Sequence, residues 1–176
     1  MNTPRFEDCS PSSERMIPAN HARLSDATTF VREFLHDVGC PQEVAASLLL
    51  CVEEIFVNIA LYAYRGADSR LPDCTYARGA NDEGGDHDCT VTIQCAELEH
   101  GLRYALWFHD HGKAFDPTSR RPVDINAKPE DRAVGGLGIF LIQRMMDVML
   151  YERVESSNVI YVEKSSDKRL QCIHSV

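Results

Sequence analysis

A chain of 176 residues, 44% hydrophobic and 26% charged, is long enough for one domain with a sizeable core, and its composition excludes disorder as the default. A net charge of −9 argues against a nucleic-acid partner, whose phosphates call for clustered Lys and Arg, and against an anionic membrane surface. Nor is there an uninterrupted run of the roughly 18 apolar residues that a membrane span requires, and seven cysteines without a C-x-x-C pair predict reduced thiols in a cytoplasmic protein rather than a disulfide framework or a zinc site.

Residues 1–14 are polar, contain Pro4 and Pro11 and lack an apolar h-region, so a loose N-terminal segment without a signal peptide is expected. Residues 15–19 read as a short edge strand that Pro18 ends. Ser25 or Asp26 can cap a first helix with apolar positions Ala27, Phe30, Val31, Phe34, Leu35 and Val38, stopped by Gly39. Pro41 suits the first position of a long second helix ending near Tyr64, with the core stripe Val44, Leu48, Val52, Ile55, Ile59 and Tyr62.

Across 66–88 acids and glycines replace the apolar residues, which predicts a solvated insert. Val91, Ile93 and Cys95 then alternate onto one face, Glu99, His100 and Gly101 break the run, and Leu102, Tyr104, Leu106 and Phe108 alternate again: a β-hairpin. Residues 117–134 carry Pro117, Pro122 and Pro129 and the bases Arg120, Arg121, Lys128 and Arg132 without a period, as a lid would. A third helix is expected from Leu137 to about Met149, then a hairpin of 150–154 and 159–164 turning at Ser156, Ser157 and Asn158. These elements predict a two-layer α/β (α+β) sandwich over 15–166, with a mainly antiparallel mixed sheet, helices on one face, and a tail at 167–176.

Three short stretches can carry chemistry. Glu54 and Asn58 lie four apart on the second helix, about 40° apart round its axis, at one edge of the apolar stripe. A divalent cation with its water, or a hydroxyl awaiting deprotonation, would satisfy both; solvated helix polar groups are the alternative. Asp110 falls on the inward register of its strand, where an ionised acid needs a donor such as a base-edge amine, and Gly112 admits a close approach to the backbone. A strand-end turn capped by Asp110 reads equally well. His109 and His111 share the opposite face and lack a spaced third metal ligand. Gly135, Gly136 and Gly138 around Leu137 place free N–H groups at a helix N-terminus, suited to an anion or to a hinge. No Walker A or Rossmann pattern surrounds them.

In this order the run Glu54 to Asn58 with Ala63 and Tyr64, the run Asp110-His111-Gly112-Lys113-Ala114-Phe115-Asp116-Pro117, and Gly135 to Ile142 continuing to Met146 and Asp147 resemble the N, G1 and G2 boxes of the GHKL (Bergerat-fold) ATPases. Within them, the chain more closely resembles the small stand-alone anti-sigma-factor serine/threonine kinases of RsbW type. The resemblance implies ATP and Mg²⁺ as cofactors and phosphoryl transfer to a STAS-domain (anti-anti-sigma) partner, with partner switching, a sigma factor as a second target, and scope for a homodimer. It implies Glu54 as general base, Asn58 as Mg²⁺ ligand, Asp110 pairing with the adenine amine, Gly112 beneath the ring with Ala114 nearby, and Gly135, Gly136, Leu137 and Gly138 at the phosphates. Tyr62 stands where relatives commonly have His. The alternative expectation is an ATP-responsive binding module without kinase activity.

Overall fold

The computed structural model describes residues 10–64, 89–119 and 137–167. The expected acidic insert, the lid from residue 120 onward with its four bases, Gly135, Gly136 and the end of the tail lie outside these residues. Five strands form one sheet: β1 (Ser13–Pro18), β2 (Thr90–Leu98), β3 (Arg103–Asp110), β4 (Val148–Val154) and β5 (Ser157–Ser165), in the order β1-β2-β3-β5-β4. Every pairing is antiparallel. The helices α1 (Leu24–Asp37), α2 (Gln42–Asn58) and α3 (Leu137–Met145) supply the second layer.

The core follows from two periods meeting. Val44, Leu48, Val52, Ile55 and Ile59 are buried along α2, and they pack against Ile17, Val91, Ile93, Leu106, Phe108, Ile160 and Val162 from alternate positions of the strands. By length and a mean hydropathy of 2.0, Gln42–Ala63 could cross a membrane; in this fold its stripe is the centre of the core. The opposite face of the sheet carries a smaller cluster of Ala96, Ala105, Trp107, Val159 and Tyr161. Beside it the buried Glu163 accepts hydrogen bonds from Arg103 at 2.8 Å and from the Tyr161 hydroxyl at 2.7 Å.

Several expected boundaries shift, and four of the shifts move side chains that matter. A 3-10 turn, His21–Arg23, capped by the Asn20 side chain, leads into α1, so Ser25 and Asp26 lie inside the helix and Asp26 pairs with Arg23 at 2.8 Å. Tyr62 is 49% exposed and leaves the core stripe, because Ile59–Ala63 winds as a π-helix whose wider turn shifts the phase beyond Asn58. The third helix stops at Met145, four residues early. There the Asp147 carboxylate accepts from the Ser165 N–H at 2.6 Å and from Lys164 at 3.1 Å, which draws the chain onto the sheet as β4. The last hairpin turns at Glu155, in the left-handed region at φ 54°, so Asn158 belongs to β5 rather than to the turn.

The expectation of reduced thiols throughout is also corrected, because Cys89 is disulfide-bonded. Cys40, Cys51 and Cys95 are free thiols. Burial pushes the Cys95 thiol up to about 12 and the Cys40 thiol up to about 11, which leaves both protonated and weakly nucleophilic at neutral pH.

Leu48 is fully buried at the crossing of α2 with the sheet. Leu48→Ala is expected to destabilise the chain by about 2–5 kcal/mol, read as a lower urea midpoint with an unchanged m-value. A shift below about 0.5 kcal/mol would contradict this packing.

Candidate functional site

Strand β3 delivers Asp110 to the inner face of the sheet, where it is 2% exposed. Its register partner on β5 is Asn158, also buried. The Asn158 side-chain amide donates to Asp110 Oδ1 at 2.9 Å and to the Lys113 carbonyl at 2.9 Å. The Gly112 N–H donates to the same Asp110 Oδ1 at 2.8 Å. On its other side, Asn158 Oδ1 accepts from the Tyr151 hydroxyl at 2.8 Å and from Arg153 at 2.7 Å, and Arg153 also donates to the Gly112 carbonyl at 2.8 Å. Burial raises the Asp110 carboxyl above its ordinary range, opposed by the hydrogen bonds from Asn158 and Gly112 and by the nearby charges of Arg153 and His111.

The loop after β3 is tied down from a third side by the end of α2. The Lys113 N–H donates to the Ala63 carbonyl at 2.8 Å, and a Cβ added to Gly112 would stand 2.5 Å from the Ala63 Cβ and 2.6 Å from its carbonyl oxygen. No side chain fits there, so the close approach that Gly112 permits is first of all to Ala63. Tyr64 completes the clamp, its hydroxyl donating to the Thr90 carbonyl at 2.7 Å and accepting from the His111 N–H at 3.1 Å. Ala114 is exposed on the same loop.

Glu54 and Asn58 lie on α2 at half-buried positions, whereas the neighbouring Glu53 is exposed. A Cβ added to Gly138 would come 1.8 Å from Glu54 Oε2, so the carboxylate rests directly on the backbone of the first turn of α3. That turn is where a helix favours negative charge. The structure therefore brings Glu54 and Gly138 into contact, joins Gly112 to the same helix through Ala63, and sets Asp110 behind Gly112. Among the described residues no cluster of three or more His, Cys, Asp or Glu could hold a metal unaided. A cleft of about 610 Å³ opens at the other end of α2, lined by Pro41, Ser47, Arg144 and Lys164 among others, and includes none of these residues.

The arrangement offers a proton acceptor in Glu54, a hard oxygen donor in Asn58, and in Asp110 an acceptor held by two hydrogen bonds on one of its oxygens. The residues that sequence reasoning missed are Asn158, Tyr151, Arg153 and the Tyr64 hydroxyl. Asn158 was hidden by the misplaced turn. The signal that could have found it is its alternation with Ile160 and Val162, which places all three on the inner face.

Residues 17–164 match the histidine kinase-like ATPase domain family. The chain is 23% identical over 159 residues to the serine-protein kinase RsbW of Listeria monocytogenes serovar 1/2a, covering 88% of each protein, and 21% identical to that of Listeria innocua serovar 6a. In fold it is similar to a chain of the SiaB-SiaC complex from Pseudomonas aeruginosa, with a TM-score of 0.54 at 16% identity, covering 88% of this chain and 89% of that one. It is also similar to the structure of the RsbU and RsbW domains of Rv1364c from Mycobacterium tuberculosis, with a TM-score of 0.53 at 11% identity, covering 89% of this chain and 33% of that longer one. With the family model spanning most of the sequence, the chain belongs to the histidine kinase-like ATPase family, the GHKL ATPases.

Proposed function

We propose that this chain is an ATP-dependent protein serine/threonine kinase that phosphorylates a STAS-domain partner and regulates it by partner switching, a sigma factor being a second binding target. The observation that carries the reading is the contact of the Glu54 carboxylate with Gly138 at the start of α3. It supports the reading because a carboxylate able to take a proton then lies beside a helix N-terminus, the kind of backbone end that favours a phosphate. From Glu54 to Ala63 the helix rises about 12–14 Å, the scale of an extended nucleoside triphosphate lying between the α3 end and Asp110.

In this reading Asp110 Oδ2 accepts the adenine amine, Gly112 and Ala114 line the base, and the glycines 135, 136 and 138 with Leu137 offer backbone donors to the phosphates. Asn58 fits Mg²⁺, because its amide is half-buried on the face of α2 that carries Glu54 and makes no hydrogen bond among the described residues, and its oxygen is the hard ligand this ion takes. When bound, Mg²⁺ would neutralise charge on the phosphate oxygens. The acceptor hydroxyl oxygen of the partner forms a bond to the γ-phosphorus as the bond to the β–γ bridging oxygen breaks. Glu54 takes the hydroxyl proton, and ADP leaves. That Glu54 is present beside Asn58 favours transfer over nucleotide-responsive binding alone.

Two variants test the role of Glu54. With Mg-ATP and the STAS partner, Glu54→Gln should lower phosphoryl transfer about 10²–10⁴-fold while leaving the Kd for ATP within about twofold. Transfer at the wild-type rate would refute the assignment, and multiple-turnover phosphorylation by the wild type would exclude a binding-only module. In Gly138→Ala the added Cβ meets the end of a flexible side chain, so Glu54 swings aside at little cost to the fold. Transfer should fall at least about tenfold with the thermal midpoint nearly unchanged; unimpaired transfer would show that the contact with Gly138 does not hold the base in place.

A further inference from the structure

We propose that Asn158 is the positioning residue for base recognition: it holds Asp110 through Oδ1 alone, so that Oδ2 is the atom presented to the 6-amino group of a purine. The inference rests on the nucleotide reading of the site and extends it to a side chain that touches no nucleotide.

The geometry leaves Asn158 no freedom. Arg153 can only donate, so the oxygen of the Asn158 amide must face Arg153 and Tyr151, and the nitrogen must face Asp110 and the Lys113 carbonyl. Both donors and both acceptor positions of this amide are thereby used inside the protein. Two donors, from Asn158 and the Gly112 backbone, converge on Asp110 Oδ1. No hydrogen bond among the described residues falls on Oδ2, and Asp110 Oδ2 is not among the sealed, unpartnered atoms either. The carboxylate is thus oriented by two bonds on one oxygen, and its other oxygen is open to a ligand. The Asp110–Asn158 register pair across β3 and β5 fixes the distance, and Arg153 ties the same amide to the Gly112 carbonyl. A device that orients Asp110 without touching the base should govern discrimination at the 6-position and leave the binding of ribose and phosphates intact.

The test compares ATP with purine riboside triphosphate, which lacks the 6-amino group, by titration calorimetry on the full chain. The wild type should favour ATP by about tenfold or more, the worth of a hydrogen bond to a charged acceptor. Asn158→Leu, which keeps the branched shape and the number of side-chain heavy atoms, should bring that ratio to within about twofold of unity while the Kd for purine riboside triphosphate changes less than about threefold. Parallel weakening of both nucleotides with the ratio preserved would assign Asn158 a merely structural role and overturn the proposal. If Asn158→Leu loses its cooperative unfolding transition, Arg153→Met decides instead: the preference for ATP should drop about threefold, and an unchanged ratio overturns the proposal. A wild type that binds the two nucleotides equally overturns it too and leaves the ATP site standing, whereas a wild type that binds neither overturns the nucleotide reading itself.

Discussion

A carboxylate buried at the end of a central strand is costly unless it is met by donors. Asp110 is such a group, and much of the molecule at this end is arranged to meet it. The loop after β3 turns so that the Gly112 N–H points back at it, β5 sets Asn158 opposite, and β4 reaches across through Tyr151 and Arg153 to fix that amide. The same loop is closed from the helical layer by Ala63 and by the Tyr64 hydroxyl. Three strands, one loop and one helix end thus converge on a single acidic side chain, and the half of it left open is the part available to a ligand.

Helix α2 links this cluster to the rest of the site. Its apolar stripe is the centre of the core, so the position of the helix on the sheet is determined by packing. Glu54 and Asn58 ride on the edge of that stripe and inherit its precision, as groups on rigid elements do. Past Asn58 the helix widens into a π-turn, which turns Tyr62 outward and brings Ala63 against Gly112. Such single-turn bulges recur at functional sites because they redirect side chains without ending the helix. One element therefore sets the Glu54 carboxylate beside α3 and braces the loop that follows Asp110.

The fold was legible where periodicity is strong. The stripe from Val44 to Ile59 and the alternation through Val91, Ile93 and Cys95 each named the buried face correctly, and the break at Glu99, His100 and Gly101 marked a left-handed turn. Of the candidate site, the position of Glu54 at the margin of the helix stripe and the inward register of Asp110 were legible from periodicity, and both residues lie there. Local signals failed where a long-range contact decides. The early end of α3 is dictated by Asp147 reaching Ser165, and the role of Asn158 by pairing with a residue 48 positions away. Neither is visible in a local window. The π-turn, likewise, is a tertiary accommodation that a fixed 3.6-residue period does not anticipate.

The central claim, that Asp110 reads the base while α2 and α3 hold the triphosphate end, is tested most directly by a crystal structure of the full chain with Mg²⁺ and a non-hydrolysable ATP analogue. The account predicts the adenine 6-amino nitrogen about 2.7–3.2 Å from Asp110 Oδ2, with the terminal phosphate beside Glu54 and the first turn of α3. An analogue bound with its base away from Asp110, or with its phosphates far from Gly138, would contradict it.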